Sequence, residues 1–331
     1  MKILVTGSSG LIGTALTPAL ASAGHTVCRL VRPQSAASEG AKEGFAVAWN
    51  PVTGELGGAG VGADAVVNLA GASIADGRWT AERKALLRSS RIDTTRTLVG
   101  ALARMSVRPS VLVSASAIGI YGDRGDETLT EESQPGTDFL ARVAQEWEAE
   151  ALKAEALGIR VVLARLGIIL AREGGALPKM MLPFKFGAGG NLGSGRQWMS
   201  WVTLEDVVAI LRFAIEGASS TGAVNTATVR DAGNVAPVRG AMNVAPARGA
   251  INVVSPQPLQ NAEFTKLFAK AMHRPAIFPA PAFALRLALG EMADALLLSS
   301  QRVEPQALEK LGYRFLHVDL RSALAAILAK T

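Results

Sequence analysis

The chain opens on an apolar run, Ile3–Val5, set between Lys2 and Thr6 with no polar alternation. A run of this kind reads as a strand buried on both faces of a parallel sheet. Leu11–Ala23 follows with apolar residues at helical spacing, and Gly24 marks its end. The pattern then recurs: Thr26–Val31, Phe45–Trp49, Ala65–Leu69, Val111–Ser114 and Ile159–Leu166 read as further strands. Between them lie helical stretches at Ala81–Arg91, continuing after a bend through Thr94–Met105, and at Asp138–Leu157. Alternation of strand and helix predicts an α/β fold of the Rossmann type, with a doubly wound parallel sheet over residues 1–170. Residues 200–228 return to that domain, and 171–199 with 250–331 make a smaller C-terminal α/β lobe. Asn261–Met272, Ala280–Leu298, Glu304–Leu311 and Ser322–Lys330 are its predicted helices.

The turn between the first strand and helix reads Gly7-Ser8-Ser9-Gly10-Leu11-Ile12-Gly13. Gly7 permits the tight turn, Gly10 lets the backbone approach a pyrophosphate, and Gly13 lets the helix pack closely on the strand. Free amides at the helix N-terminus then hold the phosphates. A strand before the triplet and a helix after it are the context the motif requires. The expected dinucleotide contacts are Gly7, Ser9, Gly10, Leu11, Ile12 and Gly13. Leu69, Ala70 and Gly71 join them, small residues at a strand end across which the dinucleotide lies. An acid at the end of the second strand would bind the ribose 2′-hydroxyl of NAD. None stands there; Arg29 and Arg32 flank that end, and Arg32 is the candidate contact for the 2′-phosphate of NADP.

Composition narrows the classes. Of 331 residues, 49% are hydrophobic, enough for a large core. One cysteine, Cys28, excludes an intrachain disulfide and suits a reducing, cytoplasmic compartment. No signal sequence is expected before the first strand, and charges at Arg165, Arg286, Glu291 and Asp294 break up every stretch long enough for a membrane span. The net charge of +6 comes from scattered basic residues without interleaved aromatics, which points away from nucleic acid and toward a small-molecule, anionic partner. His25, His273 and His317 have no partners at metal-ligand spacing, so no metal is expected.

The glycine triplet, Asn68–Ala72 and Ser116…Tyr121-Gly122 resemble the extended short-chain dehydrogenase/reductases. Arg78-Trp79-Thr80, Ser90-Arg91, Thr130-Glu131-Glu132, Phe139-Leu140-Ala141 with Trp147-Glu148, Gly193–Trp198 and Pro305…Leu311–Phe315 resemble an atypical branch of them. Its members are labelled sugar-nucleotide epimerase-like and sometimes cell-division inhibitor homologues. The resemblance implies a serine, a tyrosine and a lysine, the last two as Tyr-x-x-x-Lys on a helix. The tyrosine moves a proton while hydride moves to or from the nicotinamide, and the lysine lowers the tyrosine's pKa. This chain has two tyrosines; Gly125 stands four after Tyr121 and His317 four after Tyr313. Phe139 and Val143 best fit the expected places, and neither transfers protons. The relay is absent.

Three readings follow: an NADP-dependent oxidoreductase or epimerase with other acid–base groups, an NADP-binding sensor or structural protein, or a redox-neutral catalyst. For the first, Ser116 and Tyr121 are the catalytic candidates, since both follow the fifth strand at its carboxyl edge. Tyr121 is equally read as a substrate-pocket residue and Ser116 as a serine satisfying loop amides. Glu146 and Glu148 read as a solvated helix face. Lys179 and Arg196 are candidate anion contacts in the substrate lobe, with solvated loop charges the alternative. Asp206 reads as a helix N-terminal acid. Ala280–Leu298 is a candidate cap of the cofactor cleft or a homodimer face, with helical core packing preferred. Residues 222–257 hold four nine-residue copies, Gly222–Arg230, Asp231–Arg239, Gly240–Arg248 and Gly249–Gln257. One copy is expected to form a strand and the others an exposed or poorly ordered loop.

Overall fold

The computed structural model describes residues 1–33, 45–217 and 246–329. The apolar runs form a seven-stranded sheet: β1 (Lys2–Thr6), β2 (Thr26–Val31), β3 (Phe45–Ala48), β4 (Ala65–Asn68), β5 (Val111–Ala117), β7 (Arg160–Leu166) and β11 (Gly249–Val253). A two-residue strand β6 (Thr128–Leu129) precedes β7, and short strands β8 (Ile168–Leu170), β9 (Trp198–Met199) and β10 (Trp201–Thr203) lie between β7 and β11. The sheet order is β3-β2-β1-β4-β5-β7-β11, with every pair parallel.

Both faces are covered, as a parallel sheet requires. Ile3 and Val5 of β1 pack with Leu16 and Leu20 of α1 (Leu11–Ser22) and with Ile210 and Leu211 of a later helix, Leu204–Glu216. Leu4, between them, points the other way, toward Leu98 and Leu102 of α2 (Ala81–Ala103). This alternation on a strand buried on both sides is why β1 carries no polar position. The strand order reverses between β1 and β4, and ligands of open α/β sheets bind at such a switch point. Here α1 begins beside that point.

α2 is one continuous helix of 23 residues, where the sequence suggested a bend near Arg91. Thr80 caps it by accepting from the Arg83 amide, and no proline interrupts it. α3 (Phe139–Leu152) is capped by Asp138, which accepts from the Ala141 amide. Asp206 lies in the first turn of α5 (Leu204–Glu216), which follows α4 (Ala176–Lys185). Its carboxylate also accepts from the Leu316 and His317 amides, so it ties the C-terminal segment to this helix. Burial pushes the Asp206 carboxyl up from its ordinary value.

The smaller lobe has its own core: Leu177 and Phe184 of α4, Trp201 of β10, and Phe264 and Phe268 of α6 (Asn261–Ala271). Leu320 and Leu324 of the last helix, Leu320–Ala329, close it. Two boundaries differ from those read in the sequence. Residue 250 falls inside β11, which completes the main sheet beside β7. The last nine-residue copy thus supplies the strand; the first two copies and Gly240–Ala245 of the third lie outside the described residues. Second, Ala280–Leu298 is not one core helix. Gly290 at φ +64° separates α7 (Ala282–Leu289) from the turns that follow. No residue of α7 is buried, and Phe283 and Leu287 are 72% and 78% exposed. The apolar count of this stretch is high, but burial begins only after Gly290, at Met292 and Ala293, and the large side chains Phe283 and Leu287 of α7 are exposed.

Candidate functional site

The turn after β1 is shaped by contacts that exclude side chains. Gly7 has φ +65°, and a Cβ on it would meet the Leu69 carbonyl oxygen at 2.5 Å. A Cβ on Gly13 would meet the Gly7 oxygen at 2.4 Å and Ser8 Cα at 2.5 Å. These two glycines let β1, β4 and α1 converge. Gly10 differs: the nearest protein atom to its Cβ is the Gly7 oxygen at 3.4 Å. Internal packing does not require Gly10, and the surface it leaves open is the one a phosphate would approach. Its own amide is used, donating to the Gly7 carbonyl. No side chain caps α1, and its first turn holds no acid. The amides of Leu11, Ile12 and Gly13 are therefore the donors left for an anion. Ser9 and Gly10 are exposed, and Leu11 and Ile12 half-buried.

The Leu69–Gly71 strand end lies against this turn through Gly7, and a buried polar network holds it. Thr6 donates to Asn68 at 2.7 Å, and Asn68 donates to Thr95 at 2.8 Å and Ser114 at 3.2 Å. The Trp147 indole also donates to Thr95, and the Ala72 amide to Ser90. Arg32 stands immediately after β2, exposed, with no side-chain partner among the described residues. The residues thus fit a dinucleotide with a 2′-phosphate: Gly10 not needed for internal packing, uncapped amides and an exposed cation at the β2 end.

Ser116 and Tyr121 are brought together, but in a different place. Ser116 donates to Glu148 at 2.6 Å. Arg165 grips the same carboxylate through two bonds, 2.8 and 2.9 Å. It also donates to the Tyr121 hydroxyl at 2.9 Å and the Glu131 carbonyl, and Tyr121 donates to Asn252 at 2.7 Å. Ser116, Arg165 and Asn252 sit side by side across β5, β7 and β11, which explains how three strands build one cluster. Ser116 is 2% exposed and Tyr121 0%. Burial raises the Tyr121 pKa, the wrong direction for a base, although Arg165 offsets part of it. A cavity of about 220 Å³ adjoins the cluster, lined by Tyr121, Glu148, Arg165, Gln145 and Pro135 among others.

Glu148 therefore departs from the solvated helix face read in the sequence, whereas Glu146 is exposed and pairs with Arg88. The signal was available: Arg165 interrupts an apolar strand, and a buried cation needs an anion.

The neighbouring residue on β5, Ala117, faces a second, small apolar cavity with Gly119, Phe139, Leu140, Val143 and Arg91. This cavity is lined by Phe139 and Val143, the two residues that the family resemblance sets against the Tyr-x-x-x-Lys pattern. Ser116 does not line it. Arg91 does, and the sequence had singled it out only as part of a resembling motif. Lys179 is exposed and bonds to the Ala75 carbonyl and Asp76, joining the substrate lobe to the loop after β4. Arg78 on the Leu287 carbonyl and Lys84 on Glu291 add two more such ties. Arg196 is exposed in the loop before β9.

Comparison with known proteins agrees with this geometry. The profile of the NAD dependent epimerase/dehydratase family matches residues 3–227, from β1 through the return to the main domain. The chain belongs to that family. Residues 280–327 match a domain of unknown function, DUF1731. Within the epimerase/dehydratase family, the chain is 42% identical to epimerase family protein Mb2239 of Mycobacterium bovis, over 97% of this chain and 96% of that one. It is 38% identical to epimerase family protein YfhF of Bacillus subtilis, over 99% and 98%. A crystal structure of human epimerase family protein SDR39U1 (isoform2) with NADPH superposes at a TM-score of 0.81, with 29% identity over the whole of both chains. Among the described residues no helix is long and apolar enough to cross a membrane.

Proposed function

We propose that this chain binds NADP(H) and acts as an oxidoreductase or epimerase-like enzyme on a small-molecule substrate, with a nucleotide sugar as the first class to test. The carrying observation is the Gly10 surface beside the uncapped amides of α1, with Arg32 exposed at the end of β2. Gly7, Ser9, Gly10, Leu11, Ile12 and Gly13 hold the pyrophosphate in this reading, Leu69, Ala70 and Gly71 flank it, and Arg32 takes the 2′-phosphate. The NADPH named with the human relative supports it. When bound, the nicotinamide supplies a hydride donor or acceptor. Lys179 and Arg196 remain candidate contacts to an anionic substrate on the lobe side. The single cysteine favours the cytoplasm.

Titration with NADPH and NADH, followed by nicotinamide fluorescence, tests the proposal. NADPH binds more tightly than NADH, and Arg32→Ala removes the difference. Binding of neither cofactor overturns it.

A second reading has its own support: Ala117, Phe139 and Val143 leave the small cavity with no side chain that transfers a proton. An NADP-binding sensor or structural protein would look like this. NADPH that binds but is never consumed against a panel of carbonyl compounds and sugar nucleotides decides for it. Homodimerisation belongs to the same proposal, through the exposed α7 face. Leu287→Glu gives a monomer by light scattering if that face is the contact.

A further inference from the structure

The two arginines near β5 are treated differently by the fold. Arg165 is buried and meets a carboxylate through two bonds. Arg91, partly buried in α2, has no carboxylate within ion-pair distance among the described residues. It donates one bond to the Leu87 carbonyl, 3.1 Å away in its own helix, and one to the Ala72 carbonyl at 2.9 Å. Its guanidinium carbon stands 5.3 Å from the centre of the Trp147 ring. Desolvation, helped by the nearby Arg83 charge, pushes its pKa down to about 10, so it remains a cation at neutral pH. Among the described residues this partly desolvated cation is held by neutral carbonyls and a ring face, which offset its desolvation less than a carboxylate would. One N–H on each terminal nitrogen remains after the two bonds.

Its place gives that charge a use. A Cβ on Gly71 would meet the Arg91 guanidinium carbon at 3.1 Å, so the cation lies against the loop that flanks the glycine turn. It also lines the small cavity with Ala117, Phe139 and Val143, where the tyrosine and lysine of the relay would fall. Where the resemblance would set a lysine on α3 this chain has Val143, and α2 brings Arg91 to the same cavity.

We propose that Arg91 is a cofactor-binding residue whose guanidinium takes an oxygen, ribose hydroxyl or phosphate, of the nicotinamide half of the dinucleotide. This rests on the NADP(H) reading above. It adds a contact that the glycine turn and Arg32, both on the adenosine and pyrophosphate side, do not provide. The positive charge near the nicotinamide ribose then comes from α2, which leaves α3 free to be apolar at Phe139 and Val143.

Calorimetric titration of wild type, Arg91→Lys and Arg91→Met with two probes tests this. NADPH carries both halves, and 2′,5′-ADP lacks the nicotinamide half. Methionine keeps an unbranched apolar stem against Trp147 but no charge, and lysine keeps the charge. The expected result is a loss of about tenfold or more in NADPH affinity for Arg91→Met, a smaller loss for Arg91→Lys, and unchanged 2′,5′-ADP affinity in both. NADPH affinity retained in Arg91→Met overturns the proposal. So does a parallel loss of both probes, which would mean that the loop under Gly71 has shifted. A wild type that binds neither probe overturns the cofactor reading itself, whereas wild-type binding with an indifferent Arg91 overturns only this inference. If Arg91→Met does not fold, Arg91→Lys is decisive by the same comparison.

Discussion

Glu148→Ala asks whether the Ser116–Glu148–Arg165–Tyr121–Asn252 cluster is framework or reaction centre. The carboxylate accepts two bonds from Arg165 and one from Ser116. Without it, Arg165, 9% exposed, keeps the Tyr121 hydroxyl and the Glu131 carbonyl as its acceptors among the described residues. Breaking one side of a buried ion pair costs about 3–5 kcal/mol. An orphaned Ser116 hydroxyl adds about 1 kcal/mol. Against a total stability of roughly 5–15 kcal/mol, this is about a quarter or more of what holds the chain folded. At about 2–4 °C per kcal/mol, the melting temperature falls by roughly 10–20 °C. Urea unfolding followed by the five tryptophans measures it. The paired variant Glu148→Met with Arg165→Met removes both charges at similar volume and recovers most of the loss, since a buried ion pair is worth little more than packed hydrophobes. It also keeps wild-type NADPH affinity, because the cluster lies away from the glycine turn. A cost for Glu148→Ala below about 1 kcal/mol refutes the argument. So does a paired variant no more stable than Glu148→Ala.

Gly13→Ala places a methyl 2.4 Å from the Gly7 oxygen and costs about 1–3 kcal/mol of stability by overpacking. Gly10→Ala, whose methyl meets the Gly7 oxygen at an ordinary contact distance of 3.4 Å, stays within about 0.5 kcal/mol of wild type in urea yet loses roughly tenfold or more in NADPH affinity. Burial raises the pKa of both tyrosines, Tyr121 and Tyr313, above the phenol value near 10 that they take when unfolded. A raised folded pKa gives stability that is whole below about pH 10 and is lost as pH climbs toward the folded values, so tyrosinate absorbance appears only with unfolding. A native protein showing tyrosinate at about pH 10 contradicts this. Arg91 is the one titratable group lining the small cavity, so NADPH affinity is flat between about pH 7 and 9, and a step there in a fluorescence titration points to a base elsewhere.

The framework of the fold was legible because each of its signals is local. Ile3–Val5 has to be buried on both faces to lack a polar position, and Gly7 to Gly13 have to turn a strand into a helix. The strand ends were set short at β5, where Ala115–Ala117 continue the ladder to β7 through small residues of low strand propensity. Ala280–Leu298 misled for a physical reason: helical periodicity reports an apolar face but not what covers it, and α7 leaves that face to solvent. The candidate catalytic pair was harder. Ser116 and Ala117 are adjacent, and a strand turns adjacent side chains apart, so one residue of error in register exchanges the buried cluster for the cavity. Glu148 and Arg165 are 17 residues apart, and their pairing required knowing which face of α3 meets β7.

That one-residue difference bears on the chemistry available. With Ser116 committed to Glu148 and Tyr121 to Asn252 and Arg165, neither hydroxyl is presented to the small cavity. What the cavity does present is aromatic, aliphatic and cationic: Phe139, Val143 and Arg91. A guanidinium stabilises negative charge on oxygen without giving up a proton, so it assists a reaction by fixed electrostatics and not by acid–base exchange. A carbonyl reduced beside these residues would take the proton for its oxygen from solvent or from an acidic group of the substrate itself, since none of them donates one. A substrate that brings a carboxylate or phosphate near the reacting carbon would meet that need and also find Lys179 on the lobe side. The arrangement thus favours a reaction whose proton step lies outside the protein, or a bound cofactor that is held and not turned over. The nicotinamide contact of Arg91 is common to both.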